Sequence, residues 1–272
     1  MDTAMKEKQK KEQEAIEKNL EKIKRIVLVL SGKGGVGKST VAVNFAVELA
    51  NSGSRVGLLD VDIHGPSIPS MLGIEEALIS FRDKIILPVK SHVPNLSVMS
   101  IGFLMRNQSD AVIWRGPLKY TIIKQFMTDV DWGELDYLVV DSPPGTGDEP
   151  LSIAQMTAKK ASAVIVTTPQ RIAIDDVRKC VNFCRKLEVP IEGIVENMSG
   201  YVCPKCGETV HIFDTGGGEL LAREMSVPFL GKIPLEPALV FSCDAGKPYV
   251  DSYSETKTAQ KIHDMVTQNI MK

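Results

Sequence analysis

Several kinds of segment are missing from these 272 residues. No uninterrupted apolar run approaches the roughly 18 residues of a membrane-spanning helix. The opening MDTAMKEKQKKEQEAIEK has no apolar h-region, so no secretory signal is expected. Cysteine is scarce: five thiols are too few, and odd in number, for a disulfide scaffold, which predicts a reducing, cytoplasmic setting with free thiols. Neither sign of charge prevails, since 32 Lys and Arg against 34 Asp and Glu leave −2 and no global field toward nucleic acid. The stretch 256–272 lacks aromatic residues and carries modest charge, so neither a membrane-surface helix nor a nucleic-acid arm is expected there. Nothing repeats at a fixed period. What remains, 43% hydrophobic and 24% charged, is ordinary globular composition, with a length prior of one or two domains.

Residues 1–25 stand apart as a charged helical segment, with Glu7–Lys11 and Glu14–Lys18 at i,i+4 spacing and one apolar stripe, Ile16, Leu20 and Ile23. It reads as a frayed leader lightly docked on a single domain over 26–272, with a partner-binding arm as the alternative. Beyond it, short apolar runs alternate with amphipathic stretches. Strands are predicted at 26–30, 56–59, 96–100, 138–140, 164–167, 191–195 and 229–231, and helices near 38–52, 117–129, 150–159, 171–187 and 217–225. Most of the strand runs are apolar throughout, as strands covered on both faces must be. The repeated βα alternation predicts an α/β fold with a doubly wound, mainly parallel sheet. Ser252-x-x-Glu255 reads as a capping box opening a last helix to about residue 270.

The strongest motif follows the first predicted strand: Gly32, Lys33, Gly34, Gly35, Val36, Gly37, Lys38, Ser39, Thr40. It fits the phosphate-binding pattern G-x-x-x-x-G-K-[ST] in the required strand-to-helix context. Its backbone N–H groups would cradle phosphates, Lys38 would reach the β- and γ-phosphates, and the Ser39 hydroxyl would ligate Mg²⁺. Lys33 is not required by that pattern, and a lysine there suits a phosphate bound by a second subunit, as an arginine finger does. Two later apolar strands end in carboxylates, where an open α/β sheet places its ligand crevice. Asp141 is the expected holder of a Mg²⁺-bound water, Asp62 the candidate to orient the attacking water, and Asp60 a support for Mg²⁺ or the loop. The run Ser142-Pro-Pro-Gly-Thr-Gly-Asp148 suits a switch ordered by the γ-phosphate.

Cys203-Pro-Lys-Cys206-Gly207 presents two thiolates on one tight loop, suited to zinc or an iron–sulfur cluster, each of which usually takes four ligands. Cys180 and Cys184 sit at i,i+4 among apolar neighbours and read as core thiols, Cys243 is solitary and reads as structural with a reactive role as the alternative, and His211 reads as a packing residue. Two chains about a two-fold axis would supply 2 + 2 thiolates and bring each Lys33 to its partner's phosphate.

Together these residues resemble the Mrp/ApbC group of P-loop ATPases within the deviant Walker A class that includes MinD, ParA and the nitrogenase iron protein. The resemblance is carried by 60–69 (DVDIHGPSIP), 114–117 (WRGP), 141–148 (DSPPGTGD), 168–170 (TPQ), 196–199 (ENMS), 203–207 (CPKCG) and 229–234 (FLGKIP). It implies a homodimer, or a heterodimer with a paralogue, bridged by a [4Fe–4S] cluster on Cys203 and Cys206, slow ATP hydrolysis with Mg²⁺, and delivery of the cluster to apo-proteins. It also implies that Asn197 reads the adenine edge. The charged arm stands where many bacterial members carry a small domain, and it has no extra cysteine cluster, so no second cluster is expected. A zinc-bridged metallochaperone ATPase, a MinD/ParA-like positioning ATPase and a nitrogenase-like electron carrier are the competing readings.

Overall fold

Strands that read as unbroken apolar runs need cover on both faces, and here they receive it. The computed structural model describes residues 3–63, 65–83, 85–104, 116–203, 205–213 and 215–272. In chain order, α1 (Thr3–Glu21), β1 (Ile23–Ser31), α2 (Lys38–Asn51), β2 (Val56–Asp60) and α3 (Ile68–Met71) lead into three short strands, β3 (Ser80–Arg82), β4 (Ile85–Leu87) and β5 (Val89–Lys90). Then come β6 (Leu96–Ser100), α4 (Gly116–Thr128), β7 (Leu135–Asp141), α5 (Asp148–Thr157), β8 (Ala161–Thr167), α6 (Arg171–Lys186) and β9 (Ile191–Glu196). A small hairpin, β10 (Tyr201–Val202) and β11 (Thr209–Val210), precedes α7 (Gly217–Glu224), β12 (Phe229–Lys232), α8 (Pro237–Asp244), α9 (Tyr249–Ser252) and α10 (Lys257–Met265).

Among the described residues eight strands form one sheet in the order β12-β9-β8-β1-β7-β2-β6-β5. Every pairing is parallel except β5 with β6. Alternate side chains of β1 feed two cores: Ile26, Leu28 and Leu30 pack with α1, α4, α5, α6 and α7, while Val27 and Val29 pack with α2, α9 and α10. The expected doubly wound sheet is therefore present, and all seven predicted strands belong to it. Cys180 and Cys184 lie fully buried in the first core, as expected of packing thiols. The elements without a sequence expectation are short: α3, α8 and α9, the two hairpins and the edge strand β5. Four residues or fewer in a hairpin strand cannot display a period.

Two expectations need correction. Ser252 does not open the last helix; it ends α9, and Thr256 caps α10, its hydroxyl accepting a bond from the Ala259 N–H at 3.2 Å. A buried tyrosine decides this: Tyr249 Oη lies 2.8 Å from Thr256 Oγ1, holding the connecting turn against the core. The helix then runs on as a π-turn to Ile270, close to the expected end. The apolar stripe of the arm also divides. Ile16 and Leu20 are buried on α1, but Ile23 is buried as the first residue of β1. Glu14 pairs with Lys10 at 3.9 Å rather than with Lys18.

The arm is held more firmly than a lightly docked leader would be. Asn19 Nδ2 donates to the carbonyls of Met127 and Thr128 at 3.1 and 2.7 Å, satisfying the unpaired carbonyls at the end of α4. In return, Lys160 Nζ donates to the carbonyls of Leu20, in the last turn of α1, and Ile23, the first residue of β1, at 2.6 and 2.8 Å. Glu12 forms an ion pair with Lys124. Ile16→Ala removes a buried side chain shared with the main core and should lower the free energy of urea unfolding by about 2–4 kcal/mol. An unchanged midpoint would mean that the arm melts on its own.

Candidate functional site

Strand order, rather than chain order, assembles the site. Because β7 lies between β1 and β2, the ends of three adjacent strands deliver the glycine loop, Asp141 and Asp60 to one crevice. The parallel register sets Asp60 directly beside Asp141. On the other side of β1, β8 and β9 bring Thr167 and Glu196 to the same end of the sheet, with Asn197 just beyond.

The glycine loop (32–37) opens α2 at Lys38, and Gly37 stands at the N-cap with φ +80°. A Cβ there would lie 2.1 Å from Asn197 Nδ2, so this position needs glycine for both conformation and space. Gly32 is needed for close approach, since a Cβ would lie 2.4 Å from the backbone of Asp176 on α6. A cavity of about 200 Å³ lies over the loop, bordered by Lys33, Gly34, Gly35, Lys38, Ser39, Thr40, Asp62 and Pro144. Eight of the sequence-derived nucleotide-site residues, Gly37 included, border this cavity, while Gly32, Val36, Asp60, Asp141 and Asn197 are not among its lining.

Lys38 is buried and bridges two carboxylates, with Nζ 2.5 Å from Asp141 Oδ1 and 3.6 Å from Asp62 Oδ2. The Ser39 hydroxyl also bonds the Asp141 carboxyl. Burial raises the Asp141 pKa above the usual carboxylate range, against the pull of Lys38 and Ser39. Its second oxygen, Oδ2, is buried with no hydrogen-bond partner among the described residues. An orphaned carboxylate oxygen beside a serine hydroxyl at the start of a phosphate-binding helix is the donor set that a hydrated Mg²⁺ requires. Asp60 is fully buried, accepting from Ser100 Oγ at 2.8 Å and from the Asp62 N–H at 3.1 Å, so its hydrogen bonds brace the loop that carries Asp62. Burial first, and then the neighbouring Asp141 charge, push Asp60 up to about 8.

The segment after Asp141 is tied down at both ends. The Gly145 N–H donates to the Ser31 carbonyl at 2.8 Å, and Glu149, in the first turn of α5, pairs with Lys119 of α4 at 2.8 Å. Lys33 is turned to its own chain, donating to Gln170 Oε1 at 3.1 Å. Asn197 donates from Nδ2 to the Val36 carbonyl at 2.9 Å and is buried against the loop.

The thiol pair lies apart, at the turn of the β10–β11 hairpin. The Cys203 N–H donates to the Glu208 carbonyl at 2.9 Å and the Gly207 N–H to the Cys203 carbonyl at 2.8 Å, so Cys206 is presented on the surface beside a half-exposed Cys203. Backbone N–H groups of Cys206 and Lys205, and the Cys206 thiol, pull the Cys203 thiol below its ordinary pKa. No group of three or more His, Cys, Asp or Glu side chains placed to hold a metal occurs among the described residues. His211 is exposed beside Gly200, its Nδ1 3.5 Å from where a Cβ on that glycine would stand. Cys243 is half-buried on α8, its thiol raised by burial and hydrogen-bonded to Thr40 and Ser242. His64, Trp114, Arg115 and Pro204 of the quoted motifs lie outside the described residues.

A family model described as ParA: NUBPL iron-transfer P-loop NTPase matches residues 22–271. The chain belongs to this family. A cytosolic Fe-S cluster assembly factor NUBP2 homolog of Trichoplax adhaerens is 52% identical over 93% of this chain and 97% of its own. The cytosolic Fe-S cluster assembly factor CFD1 of Chaetomium globosum is 50% identical over 84% of this chain and 80% of its own. Among solved structures, a nucleotide-binding protein of Archaeoglobus fulgidus in complex with ADP, in which cobalt was found, is 39% identical, with a TM-score of 0.78 over 90% of this chain and 95% of that one. MinD of Pyrococcus furiosus, at 23% identity and a TM-score of 0.64 over 91% and 98% of the two chains, shares the fold. The Mrp/ApbC-type resemblance and the P-loop NTPase fold expected from the motifs are thus borne out.

Glu196 and Gln170 stand in the quoted motifs without a role of their own, and Ser100 has no expectation attached to it. Glu196 carried the same signal that marked Asp60 and Asp141, a carboxylate closing an apolar strand. Two outcomes follow from the site. Gly37→Ala forces a left-handed alanine against Asn197 and should weaken binding of a fluorescent ATP analogue by about tenfold or more. Asp60 bears on stability through pH. Its folded pKa of about 8 exceeds the unfolded value near 4, so the native state keeps a proton that the unfolded chain releases between these values. Stability of the nucleotide-free protein should therefore fall as pH rises through that window, by up to about 1.4 kcal/mol per pH unit. Asp60→Asn should flatten the slope in urea titrations across pH 5–8, and an unaltered slope would contradict the assignment.

Proposed function

We propose that this chain is an ATP-dependent carrier of iron–sulfur clusters in the cytosol. Two copies, or one copy and a close paralogue, join their Cys203–Cys206 hairpins around a [4Fe–4S] cargo and pass it to apo-proteins. One observation carries this reading. The thiol pair stands at the surface, and no third ligating side chain accompanies it among the described residues, so a four-thiolate cage calls for a second chain. The 50–52% identical relatives, named as cytosolic Fe-S cluster assembly factors, support the cargo and the compartment.

Within the nucleotide site each residue has a proposed task. Lys38 leaves Asp141 and meets the β- and γ-phosphates as they enter, so the buried carboxylates act as a place-holder for the anion. Ser39 and Asp141 would hold Mg²⁺, which when bound neutralises charge developing on the phosphoryl oxygens. Asp62 orients the attacking water, Asp60 braces the loop beneath it, and Asn197 faces the base. Lys33 is released from Gln170 to reach the phosphate bound by the second subunit, while the 141–148 segment orders on the γ-phosphate. Hydrolysis in this scheme is coupled to how firmly the cargo is held, and the coupling is reciprocal.

Anaerobic reconstitution with iron and sulfide, followed by absorbance, elemental analysis and sizing, tests this. The expected result is one cluster per dimer, abolished in a Cys203→Ser/Cys206→Ser variant. Stoichiometric zinc without a sulfide-dependent chromophore would favour the zinc-bridged reading, and a cluster retained by the double variant would refute the carrier.

A further inference from the structure

Glu196 is a fully buried carboxylate to which the proposed chemistry assigns nothing. It closes β9, next to Asn197 on the glycine loop, and Cys203 follows Asn197 by six residues. Its two oxygens hold two different elements. Ser199 Oγ donates to Oε1 at 2.6 Å, and the Gly218 N–H, in the first turn of α7, donates to Oε2 at 2.7 Å. A Cβ on Gly218 would stand 3.1 Å from Oε2, so α7 is seated directly on the carboxylate, at the helix end that favours negative charge.

The segment between the two sites has few freedoms. The Asn197 N–H is fixed to the Thr167 carbonyl at 2.8 Å, and the Asn197 side chain to the Val36 carbonyl at 2.9 Å. Met198 then takes φ +56°, a left-handed conformation that a long side chain seldom adopts. The Ser199 N–H donates to Ile233, and Gly200, at φ +81°, accepts from Leu235, after which the chain enters β10. The Ser199–Glu196 bond therefore closes 196–199 into one tight turn anchored to sheet and helix. Any movement of Val36 would bear on Asn197 through this bond, and the closed turn would couple it to Gly200 and the hairpin.

We propose that Glu196, through Ser199, is the positioning residue that transmits nucleotide occupancy at the glycine loop to the Cys203–Cys206 hairpin. The inference deepens the carrier reading and rests on it for the meaning of the hairpin, but its readout needs no cluster. Iodoacetamide labelling rates of Cys203 and Cys206, read by peptide mass spectrometry on the full chain, would be compared with and without a non-hydrolysable Mg-ATP analogue. In the unaltered protein the analogue should change the rates by about fivefold. Ser199→Ala and Glu196→Gln should bring the ratio near one while the analogue still binds, and Ser199→Thr, which keeps the hydroxyl, should restore it. A persistent ratio in both variants, or no ratio in the unaltered protein, overturns the proposal. Loss of analogue binding together with the ratio, unrescued by Ser199→Thr, gives Glu196 a purely structural role and also overturns it. A cluster retained without Cys203 and Cys206 refutes the carrier reading instead, and leaves the labelling result standing.

Discussion

A lysine buried against two carboxylates governs this molecule. Lys38 sits at the first turn of α2, where the helix end already favours an anion, and its Nζ is held between Asp141 and Asp62. Such an arrangement tolerates a charged side chain in the interior only because its partners are aimed at it. It also explains the neighbouring Asp60. Two adjacent parallel strands ending in carboxylates at the same register leave one of the pair poorly placed to ionise, and among the described residues Asp60 is the one with no cation in direct contact.

The sheet makes this possible by inserting β7 between β1 and β2. Residues more than a hundred positions apart, Lys38 and Asp141, meet because strand order departs from chain order. The same crossing point puts β8 and β9 on the far side of the glycine loop. The loop is thus touched by carboxylates from one flank and by Asn197 from the other, and Asn197 leads within a few residues to the thiols. Nucleotide site and thiol site are separate in space but share one stretch of backbone.

Much of this was legible beforehand, for identifiable reasons. The strands were plain because burial on both faces makes them apolar throughout, as in Val27–Leu30 and Val164–Val166. The glycine loop was plain because its spacing serves one purpose. The true start of the last helix was obscured because Ser252 and Glu255 satisfy a capping pattern locally, while the deciding contact, Tyr249 with Thr256, is tertiary. The firmness of the arm was hidden for a similar reason. Asn19 and Lys160 act on carbonyls remote in the chain, and no local pattern announces such partners. Glu196 had a visible signature, but its worth lies in Ser199 and Gly218, which only the fold brings together.

The short strand β5 has a consequence of its own. It is two residues long, runs against the rest of the sheet, and carries an exposed Lys90 whose Nζ is bonded to Ser97 Oγ at 2.9 Å. A margin so brief and so charged offers an incoming chain almost no ladder to extend. Copies of the protein are thereby discouraged from stacking rim to rim into fibrils, and self-association on that flank is left to side chains rather than to shared backbone.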